Sequence, residues 1–163
     1  MATEIEHKYI VTDESYLQGY SRKTYFRQGY LTTQPTCVVR VRIADDTAYL
    51  TIKGKNNGAS RPEYEFEIDV DKAQSMLDTL CTTPIIEKTR YLYPYKGHTW
   101  EIDRFAGDNE GLVIAEIELR DENEPYERPP FIGENVTGIA RYYNSCLSEH
   151  PYSQWSDEEK EVK

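Results

Sequence analysis

The sequence predicts a mainly β member of the α+β class: eight antiparallel strands closed into a barrel, with flanking helices. Three observations carry this. Apolar and polar residues alternate at period two from the N-terminus to about residue 119, with one helix-like interruption. Tyrosine, used 14 times, and recurrent β-branched runs favour strands. Short turn signals join most of the alternating runs, and eight antiparallel strands can close around one small ligand while leaving no exposed edge.

The elements follow in order. Residues 3–11, "TEIEHKYIV", alternate, and residues 24–31, "TYFRQGYL", make a second strand. In "CVVRVRIA", Val39, Val41 and Ile43 share one face, and Arg40 and Arg42 the other. After the turn "DDT", "AYLTIKG" sets Ala48, Leu50 and Ile52 against Tyr49, Thr51 and Lys53. The Gly/Asn loop "GKNNGAS" leads into "RPEYEFEIDV", where Tyr64, Phe66, Ile68 and Val70 oppose Glu63, Glu65, Glu67 and Asp69. Asp71 is a candidate N-cap for a helix over "KAQSMLDTLC", whose stripe is Ala73, Met76, Leu77 and Leu80. "IIEKTRYLYPY" and "HTWEIDRF" form a hairpin turning at Lys96-Gly97, and "GLVIAEIEL" is the eighth strand. The proline-rich "RDENEPYERPPFIGENV" reads as an irregular loop and "TGIARYYNSCL" as a short closing helix.

The 163 residues suit one domain, residues 1–150, followed by an acidic tail, residues 151–163, of which "SDEEKEVK" is expected to be frayed. No run approaches the roughly 20 apolar residues of a membrane helix, and the N-terminus lacks the order of a signal peptide. Cys37, Cys81 and Cys146 fit no zinc spacing and read as reduced, buried thiols of a cytoplasmic protein. His7, His98 and His150 show no partner motif. A net charge of −10 argues against nucleic-acid binding, which depends on neutralising phosphates.

A single polar strand face is ordinarily a wet face. Here successive polar faces each tend to carry one sign. Lys8, Arg40, Arg42, Lys53, Lys88 and Arg90 make a basic set; Glu4, Glu6, Glu63, Glu65, Glu67, Asp103, Glu116 and Glu118 make an acidic one. Turned inward, they would line a cavity holding water, counter-ions or a charged ligand, because an isolated buried ion loses several kcal/mol of hydration, in order of magnitude. Six cations suit a multiply charged anion, and arginine matches phosphate oxygens through its planar fork. Clustered carboxylates without histidine or cysteine suit Mg²⁺ or Mn²⁺. Anion and metal together read as a polyphosphate with its cation. "GKNNGAS" lacks the spacing of a phosphate loop, so side chains would do the holding.

These residues resemble the CYTH superfamily, the triphosphate tunnel metalloenzymes. "EIEHK" looks like its ExExK signature, although His7 departs from the usual basic residue there. "QGYL", "RVRI", "YLTIKG", "RPEYEFEI", "EKTRY", "WEIDRF", "GDNEGLVIAEIEL" and "RYYNSCL" follow in order, from Glu4 to about Leu147. The resemblance implies an eight-stranded tunnel of the short bacterial type. It implies that Arg40, Arg42, Lys53, Lys88 and Arg90 grip a triphosphate. Glu4 and Glu6, with Glu116 and Glu118, would bind metal; Glu63, Glu65 and Asp103 would complete a second metal or water-positioning site. Lys8 and Tyr30 would handle the scissile phosphate. The implied activity is hydrolysis of the terminal phosphoanhydride of inorganic tripolyphosphate, with nucleoside triphosphates as further substrates. The alternatives are a class IV adenylate cyclase and a non-catalytic polyphosphate-binding module. The family also allows a homodimer.

Overall fold

In the computed structural model, which describes residues 2–82 and 84–161, the alternating runs become the strands of one closed antiparallel barrel. They are β1 (Ala2–Val11), β2 (Arg22–Gln34), β3 (Cys37–Ala44), β4 (Thr47–Gly54), β5 (Ser60–Ile68), β6 (Ile86–Tyr95), β7 (His98–Phe105) and β8 (Val113–Glu118). Around the barrel the order is β1-β5-β4-β3-β2-β6-β7-β8, with β1 closing the circle. β1 does so by changing partner along its length: residues 2–5 pair with β5 and residues 6–10 with β8. The hairpin at Lys96-Gly97 turns with both residues at positive φ, 46° and 87°, where glycine is at ease.

The barrel is dressed in apolar residues on its outside. Helix α1 (Val70–Thr79) lays Ala73 and Leu77 on Val41, Ile43 and Ala48 of β3 and β4. On the opposite side, Tyr16, Leu119 and Phe131 cover Tyr9, Tyr91, Trp100 and Ile102. Tyr64 and Phe66 on β5 stay uncovered, 44% and 53% exposed.

Inside, the lining changes character along the strands. Positions that carry charge give way, two residues on, to Ile10, Ile86, Phe105 and Ile114. These pack with Leu112, Val136, Tyr142, Leu147 and Trp155 to plug one end of the barrel. Burying such side chains contributes roughly 1.5–3 kcal/mol each, so the plug stabilises the fold that the charged half costs.

Several expectations need correction. A ninth strand, β9 (Ile132–Asn135), pairs with the end of β1 inside the segment read as an irregular loop; its four residues are too few to show alternation beside so many prolines. The first helix starts at Val70 with Asp69 as N-cap, without a side-chain cap bond, rather than at Asp71. Leu80, placed on its apolar stripe, is 53% exposed at the C-cap. The closing helix is broken: a 3₁₀ turn (Ala140–Tyr142) precedes α2 (Asn144–Glu149), and Tyr143 between them is extended. All three cysteines are free, but Cys37 is exposed and the other two half-buried.

The described part of "SDEEKEVK", residues 156–161, is not frayed. Trp155 is buried in the plug, and Ser156 caps α3 (Asp157–Lys160) through a reciprocal capping box with Glu159. Arg141 Nε donates to the Glu159 carbonyl at 2.8 Å. Val162 and Lys163, also assigned to the tail, lie outside the described residues. Among the described residues no helix is long and apolar enough to cross a membrane.

Candidate active site

The circular strand order sorts the charges into two walls. β4, β3 and β6 lie on either side of β2 and carry Lys53, Arg40, Arg42, Lys88 and Arg90; β2 adds the uncharged Gln28 and Tyr30 between them. β7, β8, β1 and β5 form the continuous remainder and carry Glu101, Asp103, Glu116, Glu118, Glu4, Glu6, Glu63 and Glu65. Period-two alternation aims them all inward. The residues singled out from the sequence line one cavity of about 240 Å³, apart from Glu67, which is exposed, and Asp103, which lies fully buried behind it.

Ion pairs mark the seams between the walls. Lys53 Nζ is 3.0 Å from Glu4 and 3.5 Å from Glu63. Arg90 grips Asp103 with two nitrogens at 2.7 and 2.9 Å and reaches Glu101 at 2.9 Å. Lys88 Nζ donates to Asp103 at 2.7 Å. Asp103, expected as a metal or water ligand, thus has both oxygens engaged by cations, and these outweigh its burial to hold its pKa well below the carboxylate range.

The basic wall keeps charge in reserve. Arg42 has no carboxylate within 4 Å among the described residues; Nε donates to Gln28 Oε1 at 2.9 Å, and its guanidinium lies 4.4 Å from the Phe26 ring centre. Burial, with Arg40 and Arg90 nearby, pushes its pKa down to about 9. Arg90 stands 4.9 Å from the same ring, so the face of Phe26 attracts both cations. Arg40 donates to Thr51 at 3.2 Å, and its Nε is buried without a partner among the described residues. Burial pushes Lys88 down to about 7, with Arg90 and Arg42 adding to it against the pull of Asp103. Crowded, under-neutralised cations are the electrostatic signature of an anion site.

The acidic wall carries the opposite surplus. Lys8 Nζ donates to Glu116 at 2.7 Å and is 3.6 Å from Glu6. Burial opposes the Lys8 ammonium, yet these two carboxylates hold its pKa above the lysine range. Burial and Glu116 raise Glu6 well above the usual carboxylate range. Burial and Glu4 raise Glu63; burial, Glu4 and Glu101 raise Glu118, which has no cation within 4 Å among the described residues. A carboxylate-only donor set with excess negative charge fits a hard divalent cation. In the present side-chain positions, no group of three or more metal-type ligands among the described residues is gathered closely enough to hold an ion.

Sequence reasoning missed part of the lining. Arg61 donates to the Gly54 carbonyl at 3.0 Å and faces the cavity from β5. Glu101 faces the cavity from β7 and takes a hydrogen bond from Arg90. Gln28, Phe26 and Thr51 are inward by the same alternation, and that parity was the available signal. Tyr143, Asn144 and Ser145 enter the cavity from the broken closing helix, which no periodicity marks. Glu67 shares the face of Glu63 and Glu65 but lies exposed beyond the cavity.

A closed antiparallel barrel whose lumen is divided into facing basic and acidic walls defines a class of anion-handling tunnel proteins. The family model described as CYTH domain matches residues 2–143, and the chain belongs to that family. It is 48% identical over 157 residues to the inorganic triphosphatase of Acetivibrio thermocellus, covering 96% of this chain and 100% of that protein. It is 37% identical over 150 residues to the inorganic triphosphatase of Nitrosomonas europaea, covering 90% and 97% of the two chains. The crystal structure of the inorganic triphosphatase NE1496 superposes with a TM-score of 0.66 at 32% identity, covering 91% of this chain and 95% of that one.

Proposed function

We propose that this protein hydrolyses the terminal phosphoanhydride of inorganic tripolyphosphate with Mg²⁺ or Mn²⁺. The observation that carries the reading is the division of one lumen into a basic and an acidic wall, in a chain 48% identical to an inorganic triphosphatase.

Arg40, Arg42, Lys53, Lys88 and Arg90 bind the phosphates and stabilise the charge that develops during transfer. Arg90 and Lys88 are held in place by Asp103, whose part is then to anchor the grip. Glu4, Glu6, Glu116 and Glu118 would hold the metal, which supplies Lewis-acid polarisation of phosphate oxygens. Lys8, seated between Glu6 and Glu116, stabilises the leaving oxygen, and the Tyr30 hydroxyl helps to position it. Glu63 and Glu65 sit beside Lys53 and Arg40, at 3.5 and 3.7 Å, and so next to the bound phosphates, where they orient the attacking water.

The cavity favours an inorganic substrate. At about 240 Å³ it lies below the ~300–1,000 Å³ of sites that enclose drug-sized ligands. Its aromatic lining is Tyr30, buried on β2, and the half-buried Tyr143, whose ring already has the Lys8 ammonium 5.2 Å from its centre. Three free thiols suit a reducing compartment, and a cytoplasmic site of action belongs to the proposal.

The test is incubation of pure protein with Mg²⁺ or Mn²⁺ and either tripolyphosphate or ATP. Orthophosphate released from tripolyphosphate, with no cyclic AMP from ATP, is the expected result. Cyclic AMP as the main product would instead support an adenylate cyclase, and tight binding without turnover a polyphosphate-binding module.

A further inference from the structure

Arg42 is a half-buried cation, facing the cavity and held by an uncharged partner. A desolvated arginine is ordinarily matched by a carboxylate, which both orients and neutralises it. Here Nε of Arg42 donates to Gln28 Oε1 at 2.9 Å, and Gln28 is fully buried on β2, between the two halves of the basic wall. The amide nitrogen of Gln28 reaches Asn144 Oδ1 at 3.1 Å and the Tyr30 hydroxyl at 3.3 Å. Asn144 Oδ1 also accepts from Lys88 Nζ at 2.9 Å. The chain of bonds runs Arg42–Gln28–Asn144–Lys88, with a neutral amide at both inner positions.

We propose that Gln28 and Asn144 are positioning residues for the phosphate grip: an amide pair that orients Arg42 and Lys88 without neutralising them. The choice of residue type carries the inference. A carboxylate at position 28 would fill the same space and accept the same hydrogen bond, but it would cancel the charge that a bound anion needs. An apolar residue would leave the Arg42 N–H buried without an acceptor. Each amide oxygen faces a cation, and the nitrogen of Gln28 closes the link to Asn144. Asn144 opens α2, which also supplies Leu147 to the apolar plug. The aim of the grip is therefore registered to the plug that closes the barrel. This inference rests on the basic wall being the phosphate site.

The experiment compares Gln28→Glu, Gln28→Met and Asn144→Asp with the wild type in tripolyphosphate hydrolysis, tripolyphosphate binding by calorimetry, thermal stability, and hydrogen exchange at the ¹⁵N-labelled Arg42 Nε–H. Gln28→Glu is expected to fold with stability equal to or above the wild type. Its KM and tripolyphosphate Kd should rise roughly tenfold or more, the worth of one charge-assisted contact, with a smaller change in kcat. Gln28→Met should raise KM and accelerate Nε–H exchange. Asn144→Asp, at a half-buried position, should raise KM by adding a second carboxylate to Lys88, which already shares Asp103 with Arg90, and it keeps the question open to test if Gln28→Glu does not fold. A role limited to filling space predicts that Gln28→Met keeps wild-type KM and exchange. That result, or a folded carboxylate variant at either position with KM within about twofold of wild type, would overturn the proposal. Absence of turnover by the wild type would instead count against the functional reading, while Nε–H exchange still decides whether the pair holds Arg42.

Discussion

The two halves of the barrel lumen are built by the same strands with the same alternation, yet they do opposite things. Along β1 the inward positions run Glu4, Glu6, Lys8 and then Ile10; along β6, Arg90, Lys88 and then Ile86; along β7, Glu101, Asp103 and then Phe105. The apolar half is an ordinary core that happens to lie inside a barrel. The charged half desolvates cations and carboxylates that only a ligand can fully repay. Where the inward residue changes from charged to apolar therefore sets the floor of the site, and the strands themselves serve both purposes.

The comparison breaks most visibly on the charged side. Glu6→Gln combined with Glu116→Gln should lower tripolyphosphate hydrolysis on the order of 10³-fold or more, with the barrel still formed by circular dichroism. Activity surviving both changes would mean that these carboxylates hold no metal. On the apolar side, Phe105→Ala and Ile114→Ala should each cost about 2–5 kcal/mol in urea unfolding, while kcat per folded molecule stays close to wild type. A large loss of kcat without loss of stability would show that the plug takes part in the chemistry.

A smaller effect with a telling sign comes from Arg42→Met. Removing a half-buried cation that lacks a carboxylate should leave stability unchanged or raise it by about 1 kcal/mol, while KM for tripolyphosphate rises. Clear destabilisation would mean that Arg42 is structural. The smallest effect is expected from Ser156→Ala, which removes the α3 cap at the edge of the plug. Thermal unfolding should register a cost of about 1 kcal/mol or less, with activity unchanged.

Much of this was legible in the sequence because alternation is a local signal. The eight barrel strands, the inward parity of Glu4, Arg40, Lys88 and Glu116, and the sign carried by each strand all follow from residues two apart. What was not legible depends on spatial order. Arg40 on β3 and Lys88 on β6 become parts of one wall only because β2 pairs with both strands. Asp103 has the same parity as Glu101, but its depth behind Arg90 is set by packing. Tyr143 and Asn144 reach the cavity through a break in a helix that apolar spacing portrays as continuous. Trp155 anchors a segment whose acidic composition argues for a loose tail.

The most direct test of the divided lumen is a crystal structure with tripolyphosphate and Mn²⁺, using the anomalous signal of manganese. The account predicts tripolyphosphate against Arg40, Arg42, Lys53, Lys88 and Arg90, and manganese among Glu4, Glu6, Glu116 and Glu118. Tripolyphosphate bound outside the barrel, or manganese only on surface carboxylates such as those of α3, would contradict it.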